Sequence, residues 1–253
     1  MSEKNESMNN TITKHLIENV ETNLNPKGIR LTGRVSRYDG NLLECDGFPA
    51  NIGAICEVES DQGIKEKAEI VGFNNGNNCL SLFQSGAKIK SGSKVSLLDD
   101  GYSIPVGITL LGRVIDALGN PLDGMPDPIL RETWPLNGVQ LNPLVRNPVS
   151  KPLDVGIRGI NGLMTIGQGQ RLGIIAGSGV GKSVLLGMMS KNTTADVIVV
   201  GLIGERGREV GKFVNDILTS ESKARTVVVA VPADRSPLLR IRSLVFSLNS
   251  SPV

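Results

Sequence analysis

The sequence predicts an α/β protein in which a small all-β unit precedes a parallel sheet covered by helices. Between residues 28 and 98, short β segments alternate with turn-forming residues at close, even spacing, which is typical of a small closed barrel or sandwich. From about residue 172 onward, near-continuous apolar segments alternate with helical patterns. Such a rhythm indicates parallel strands that are buried on both faces.

Residues 1–27 are predicted to form a tail with one helix. Ile12, Leu16, Val20 and Leu24 recur every four residues, with charged residues between them. A narrow apolar stripe of this kind occurs in helices that dock on a partner and also in frayed termini. The residues alone leave both interpretations open.

The first domain is predicted to span residues 28–98 and to consist of short strands. The turn-forming run Asp39-Gly40-Asn41 follows the first of them. The charged run that includes Lys65 and Glu69 is expected to be a solvated strand face without chemistry. The predicted strands are residues 29–37, 54–59, 64–73, 79–83 and 94–98.

Composition and charge exclude several function classes. A formal net charge of +2 and an aromatic content of 3% offer neither a basic patch nor a stacking surface for nucleic acid. The three cysteines form no CxxC pair and there is one histidine, so we expect reduced, half-buried thiols and no zinc site. Without an apolar signal core or a run of about 18 apolar residues, the chain is expected to be cytoplasmic.

The second domain is predicted to span residues 99–253, and it contains a proline-rich connection at residues 121–155. We expect this connection to be extended over a surface rather than packed, with Trp134 as its anchor. The pattern predicts strands at 172–176, 197–203 and 226–231, a buried helix at 183–189 and a helix at 209–218.

The stretch AGSGVGKS, residues 176–183, has the spacing of a phosphate-binding loop, with Ala176 where the usual pattern has glycine. Between a strand and a helix, its backbone N–H groups and the helix dipole would converge on phosphate. Lys182 is then expected to reach the β- and γ-phosphates of ATP, and Ser183 to present its hydroxyl to Mg²⁺. The alternative is a chance glycine-rich turn. The nucleotide-binding backbone would comprise Gly177, Ser178, Gly179, Val180 and Gly181.

The run GERGRE, residues 204–209, directly follows a predicted strand, which places Glu205 at the carboxyl edge of the sheet beside the phosphate loop. A carboxylate there could activate the water that attacks the γ-phosphate, and Arg206 or Arg208 could stabilise phosphate charge or fix the glutamate. The alternative is a glutamate that only interacts favourably with a helix dipole.

Residues 154–210, together with LLGRVIDALGNPLDG at 110–124 and VVVAVPADRSPLLRIR at 227–242, closely resemble the flagellar protein-export ATPases of the type III secretion family, which are related to rotary ATP synthase catalytic subunits. The resemblance covers about residues 28–243. It implies an N-terminal β-barrel, a RecA-like ATPase core and a helical C-terminal domain.

The resemblance also implies a homohexamer that hydrolyses ATP with Mg²⁺, peripheral to the inner membrane at the export gate, and that acts on export substrates and their chaperones. Glu205 falls on the family's catalytic glutamate, while Lys182 and Ser183 fall on its phosphate and Mg²⁺ residues. The predicted helix of the tail matches the segment that docks a dimeric regulatory partner.

The resemblance ends after Arg242, where the sequence reads RSLVFSLNSSPV and no carboxylate side chain follows Asp234. Family members continue with a strand that ends in a Mg²⁺-supporting aspartate and with a C-terminal domain. A core sheet without its later strands is expected to leave an exposed apolar edge beside residues 226–231. We therefore expect an impaired or inactive site in a truncated chain, from a shifted frame or premature end. The alternatives are a non-hydrolysing partner-docking module and a rotary proton-translocating ATPase subunit.

Overall fold

The computed structural model describes residues 30–61, 63–84, 86–138, 142, 144, 148–177 and 179–249. The predicted helix of the N-terminal tail lies outside the described residues. None of the described helices is long and apolar enough to cross a bilayer.

The N-terminal part is a closed barrel of six antiparallel strands, which confirms the barrel and excludes the sandwich. Around the barrel the order is β1-β2-β5-β4-β3-β6, and β6 pairs back with β1. Closure removes the unpaired edges that a small open sheet would expose. The strands are β1 Thr32–Tyr38, β2 Leu42–Asp46, β3 Ile55–Glu59, β4 Lys65–Asn74, β5 Asn77–Leu82 and β6 Lys94–Asp99.

Alternation along each strand fills the barrel with apolar side chains. Leu43 and Cys45 of β2 point inward, as do Val58 and Ile70 on other strands, and all four are 0% exposed. The three cysteines are free and buried rather than half-buried. Burial raises the pKa of the Cys45 thiol to about 11 and that of Cys56 to about 12.

Part of the proline-rich connection is packed, so the expectation of a wholly unpacked segment at 121–155 is wrong. Strand β9, Glu132–Pro135, pairs antiparallel with β7, Ser103–Val106. Trp134 lies opposite Ile104 and packs on the same apolar cluster, which confirms it as an anchor. Proline favours an extended backbone. An extended segment that lies beside a strand with unpaired backbone groups can pair with it and form a β-ladder.

The parallel sheet has the order β12-β13-β8 among the described residues. Strand β12, Ile198–Ile203, and strand β8, Val114–Ile115, flank β13, Thr226–Val231. All six residues of β13 are buried, so the expected exposed edge beside residues 226–231 is wrong. This strand is central because both of its neighbours are present.

Five helices accompany the sheet, and a π-helical segment, Phe213–Ile217, continues the third of them. A 3₁₀ turn lies at Ile108–Leu110, and a two-stranded ladder joins β10, Pro152–Leu153, to β11, Ile166–Gly167. The helices in the described part of the chain are α1 Arg158–Leu163, α2 Lys182–Asn192, α3 Gly207–Lys212, α4 Ser220–Ala224 and α5 Pro237–Asn249.

Helix α5 covers one face of the sheet and reaches the barrel. Its Phe246 is 1% exposed and packs with Val227 and Val229 of β13. Its Arg242 forms an ion pair with Glu69 of β4, with 3.6 Å between Nη1 and Oε2. Glu69 is therefore not part of a solvated face, because α5 covers it and desolvation raises its pKa.

Helix α2 forms where the sequence predicts a helix, but most of its residues are exposed, so the expectation of a buried helix is wrong. Leu185 and Met189 of this helix pack against a buried cluster that includes Ile160 of α1. On another side of the helix, Gly187 meets Ile217 of the π-helical segment. A Cβ on Gly187 would overlap the Ile217 side chain. The glycine thus permits a close approach that a larger residue would block.

The C-terminal end of α2 is held by Arg225. The guanidinium donates to the carbonyl oxygens of Thr193 at 2.9 Å, of Lys191 at 3.3 Å and of Ala195. Carbonyl groups at a helix end lack partners within the helix and carry partial negative charge, so a cation stabilises them. The Thr194 N–H donates to the Asp154 carbonyl at 3.0 Å and adds a second tether.

The predicted strand at residues 172–176 is absent. Residues 171–177 adopt no regular structure, and Ile175 is 100% exposed. A strand persists only with a neighbour to receive its backbone hydrogen bonds, and no described strand lies beside this segment. The apolar, β-branched composition of this segment favours a strand, but it does not provide a second strand to pair with.

Arg113 and Asp123 form a buried, bidentate ion pair at the start of β8. The Arg113 Nε lies 2.8 Å from Asp123 Oδ2 and the Nη2 lies 3.0 Å from Oδ1, with 10% and 9% of the side chains exposed. The Val114 N–H also donates to this carboxylate. The Arg113 guanidinium therefore holds the pKa of Asp123 well below its usual range.

We predict that Asp123→Asn lowers the free energy of unfolding by about 3 kcal/mol at neutral pH, because it leaves a buried guanidinium without its counter-charge. Urea unfolding followed by circular dichroism measures this loss. Asp196→Asn, which changes an exposed carboxylate, should leave the midpoint unchanged.

The same substitution should also alter the acid response. The folded pKa of Asp123 lies below its unfolded value, so its stabilisation is complete above about pH 5 and is lost progressively as the pH falls further. The Asp123→Asn variant should therefore lose less stability than the unsubstituted chain between about pH 5 and about pH 3. An identical loss in both would contradict the assignment.

Candidate nucleotide site

The phosphate loop leads into the N-terminus of α2, as the motif predicts. Gly179 and Gly181 have φ values of 80° and 97°, a left-handed conformation that glycine adopts without strain. No atom lies within 4 Å of where a Cβ would stand on Gly177, Gly179 or Gly181, so this side of the loop is open to a ligand. Val180 is exposed, and Ser178 lies outside the described residues.

A cavity of about 210 Å³ brings three of the predicted residues together. Lys182 and Ser183, in the first turn of α2, share it with Glu205, which follows β12. Because Glu205 is far from the other two in sequence, the fold and not local spacing assembles the three. The apolar wall consists of Leu172, Ile174, Leu186, Leu202 and Phe213.

Backbone hydrogen bonds fix the turn that carries Glu205. The Gly204 N–H donates to the Val231 carbonyl at 2.8 Å, and the Glu205 carbonyl accepts from the Ala233 N–H at 3.0 Å. These bonds join the carboxyl ends of the two neighbouring parallel strands β12 and β13. Ligands of open parallel sheets bind at that edge, so the position of Glu205 suits a reacting group.

Arg206 is placed differently from the sequence-based expectation. It is the residue before α3, where its carbonyl accepts from the Glu209 and Val210 N–H groups at 2.8 and 3.1 Å. Its side chain is exposed and is not among the described residues that line the cavity. Its observed role is to begin α3.

Glu209 also lines the cavity, and sequence reasoning did not single it out. It lies in the first turn of α3, four residues after Glu205. Because α3 starts almost directly after the end of β12, Glu209 follows Glu205 at about the spacing of one helical turn. That spacing could have indicated from the sequence that a second carboxylate lies near the first. A glutamate in the first helical turn is also favourable with the helix dipole.

The residues of the cavity fit a nucleotide with Mg²⁺. The open helix N-terminus and the Lys182 ammonium suit phosphate, and hydroxyl and carboxylate oxygens are the donors that Mg²⁺ prefers. Within the described ranges, no group of three or more His, Cys, Asp or Glu side chains could hold a metal. A magnesium ion here would therefore depend on Ser183, at most two carboxylates and the phosphates themselves.

Comparison with known proteins identifies the same region. A family model described as "ATP synthase alpha/beta family, nucleotide-binding domain" matches residues 156–251. The chain is 50% identical to the flagellum-specific ATP synthase of Pseudomonas aeruginosa over 214 residues, 83% of this chain and 48% of the relative. It is 47% identical to that of Salmonella typhimurium over 229 residues, 87% of this chain and 50% of the relative.

A type III secretion ATPase and a solved structure extend the similarity. The Type 3 secretion system ATPase of Xanthomonas euvesicatoria is 40% identical, covering 85% of this chain and 49% of the relative. The ATPase EscN of enteropathogenic E. coli, solved with its central stalk EscO, superposes with a TM-score of 0.79 at 35% identity. That match covers 86% of this chain and 53% of the EscN chain.

The chain thus spans about half the length of the curated relatives that it matches. Over that half, the fold of this chain superposes on that of EscN in an assembled secretion ATPase. Residues 156–251 thus match the nucleotide-binding domain described for the ATP synthase α/β family, and the chain is similar to flagellum-specific ATP synthases and to a type III secretion ATPase.

Proposed function

We propose that this chain is an ATP-binding and ATP-hydrolysing subunit that energises flagellar type III protein export. The observation that carries the proposal is the cavity in which Lys182, Ser183 and Glu205 meet at the N-terminus of α2. The names of the most similar relatives support export over rotary proton translocation.

Each side chain has a distinct proposed role. The backbone of residues 177–181 and the Lys182 ammonium hold the β- and γ-phosphates of ATP, and the Ser183 hydroxyl is a ligand for Mg²⁺. A Mg²⁺ ion held by Ser183 would supply positive charge that offsets the charge of the phosphates. Glu205 orients and deprotonates the attacking water, and Arg206 acts only if its exposed side chain turns toward the phosphates.

The residues present favour binding over fast turnover. Residues 171–177, which lead into the phosphate loop, have no strand neighbour among the described residues to fix them. We therefore expect turnover to be impaired or absent, which keeps a non-hydrolysing partner-docking module as the second candidate.

The proposed setting follows from the family. EscN has been solved as an assembled ATPase and with a central stalk, which supports a homohexamer for this chain. The apolar stripe Ile12, Leu16, Val20 and Leu24 is proposed to dock a dimeric regulatory partner. The chain would act in the cytoplasm, peripheral to the inner membrane, with the export gate, export substrates and chaperones, and without nucleic acid.

We predict that Lys182→Ala weakens ATP binding about tenfold to a hundredfold, because a charge-assisted contact to phosphate is lost. Isothermal titration calorimetry with Mg-ATP measures the affinity. Lys191→Ala is the matched control, since this lysine lies on the same helix at its opposite, exposed end. If the Lys182→Ala variant and the unsubstituted chain bind Mg-ATP with equal affinity, the proposal is wrong.

We predict that Glu205→Gln leaves ATP affinity within about twofold but reduces phosphate release by about 10² to 10⁴, because the neutral amide cannot take a proton from water. Glu221→Gln, an exposed change on α4, should alter neither quantity. If the Glu205→Gln variant hydrolyses ATP at the unsubstituted rate, Glu205 is not the base. Binding without any turnover by the unsubstituted chain would instead support the docking module.

A further inference from the structure

A second cavity, of about 280 Å³, lies toward the opposite end of the parallel sheet from the nucleotide site. Its lining includes Val199 near the start of β12 and Val227 near the start of β13, whereas Leu202 and Glu205 line the nucleotide cavity at the carboxyl end. No described residue lines both cavities. A ligand in the second cavity would not touch the phosphate loop.

The floor of this cavity is apolar and its rim is open. Leu110, Val227 and Val106 are 4%, 5% and 8% exposed, so they form a closed hydrophobic floor. Ile108, at the rim, is 82% exposed. Such a site gains binding energy when an apolar body replaces water on its walls.

One acidic and one aromatic side chain enter the cavity from strand β9. Glu132 and Trp134 are two residues apart and therefore project to the same face of the strand. They lie opposite Val106 and Ile104 in the ladder with β7. Both neighbours in the ladder are aliphatic, so apolar side chains lie across the ladder from the carboxylate and the indole ring.

Glu132 is the one charged side chain among the described residues that line the cavity. No ion pair joins it to any cation in the described part of the chain. A carboxylate at the rim of an apolar floor attracts a positive charge, and an indole ring adds a cation–π contribution. An anionic ligand would be repelled, and a neutral one would leave the carboxylate unused.

We propose that this cavity binds a small organic ammonium with an apolar body, whose charge pairs with Glu132 and contacts Trp134 while the body fills the floor. The site is separate from the nucleotide cavity and does not rest on the proposed ATPase function.

The fluorescence of Trp134, the single tryptophan of the chain, reports directly on this site. Titration with 2-phenylethylammonium should give a saturable change in emission. Glu132→Gln should weaken the affinity about tenfold, because the charge-assisted contact is lost. Glu221→Gln, an exposed substitution elsewhere, should bind as the unsubstituted chain does.

Two further titrations make the test specific. The neutral 2-phenylethanol should bind the unsubstituted chain about as weakly as the ammonium binds the Glu132→Gln variant, and 3-phenylpropionate should bind more weakly still. Val199→Phe, which places a ring in the cavity, should abolish the saturable change while Mg-ATP affinity is retained.

Several outcomes would overturn the proposal. These are the lack of a saturable change with the unsubstituted chain, equal ammonium affinity after Glu132→Gln, and unaltered binding after Val199→Phe. Competition between Mg-ATP and the ammonium would place the probe in the nucleotide cavity and would also overturn it.

Discussion

The anchoring of α2 to the parallel sheet by Arg225 is the interaction on which the nucleotide site depends. The guanidinium binds three carbonyl groups at and just beyond the C-terminal end of α2, while the Arg225 carbonyl accepts from the Ile198 N–H at 2.9 Å, at the start of β12. The next residue begins β13. One residue thus joins the helix to both long strands of the sheet.

This anchor has consequences because it fixes the end of α2 that lies farthest from the phosphate loop. The helix is largely exposed, and its close approach to the π-helical segment rests on Gly187. A helix held at its C-terminal end, at Gly187 and by the packing of Leu185 and Met189 presents its N-terminus, with Lys182 and Ser183, to the cavity that Glu205 also lines. The positive charge of Arg225 lies at the negative, C-terminal end of the α2 dipole and is therefore favourable. The positive end of the same dipole is at the N-terminus, where phosphate would bind.

The sequence was sufficient for features that local pattern determines. Alternation predicted five of the six barrel strands, and the missed strand, Leu42–Asp46, follows the turn that the sequence itself marks at Asp39-Gly40-Asn41. Strand β13 has the predicted bounds. The spacing of the phosphate loop predicted both the start of α2 and the pairing of Lys182 with Ser183 in one cavity.

Features that depend on neighbours far away in sequence could not be predicted in this way. Residues 172–176 have the composition of a strand, yet no described strand lies beside them. Glu69 belongs to a run that looks solvated, and only the arrival of Arg242 from α5 buries it. Arg225 belongs to no sequence motif, because the carbonyl groups that it binds are 30 or more residues away along the chain.

The ATP affinity of the Arg225→Ala variant tests the dependence of the site on this anchor most directly. The substitution lies at the far end of α2, a helix of 11 residues and so about 16 Å from the phosphate loop. We predict that Arg225→Ala weakens the ATP affinity about threefold to tenfold while the circular dichroism of the variant remains native. Arg225→Lys should not restore the affinity, because an ammonium lacks the fork geometry of a guanidinium. Arg131→Ala, an exposed substitution, should have no effect. Unchanged ATP affinity in a folded Arg225→Ala variant would contradict the account.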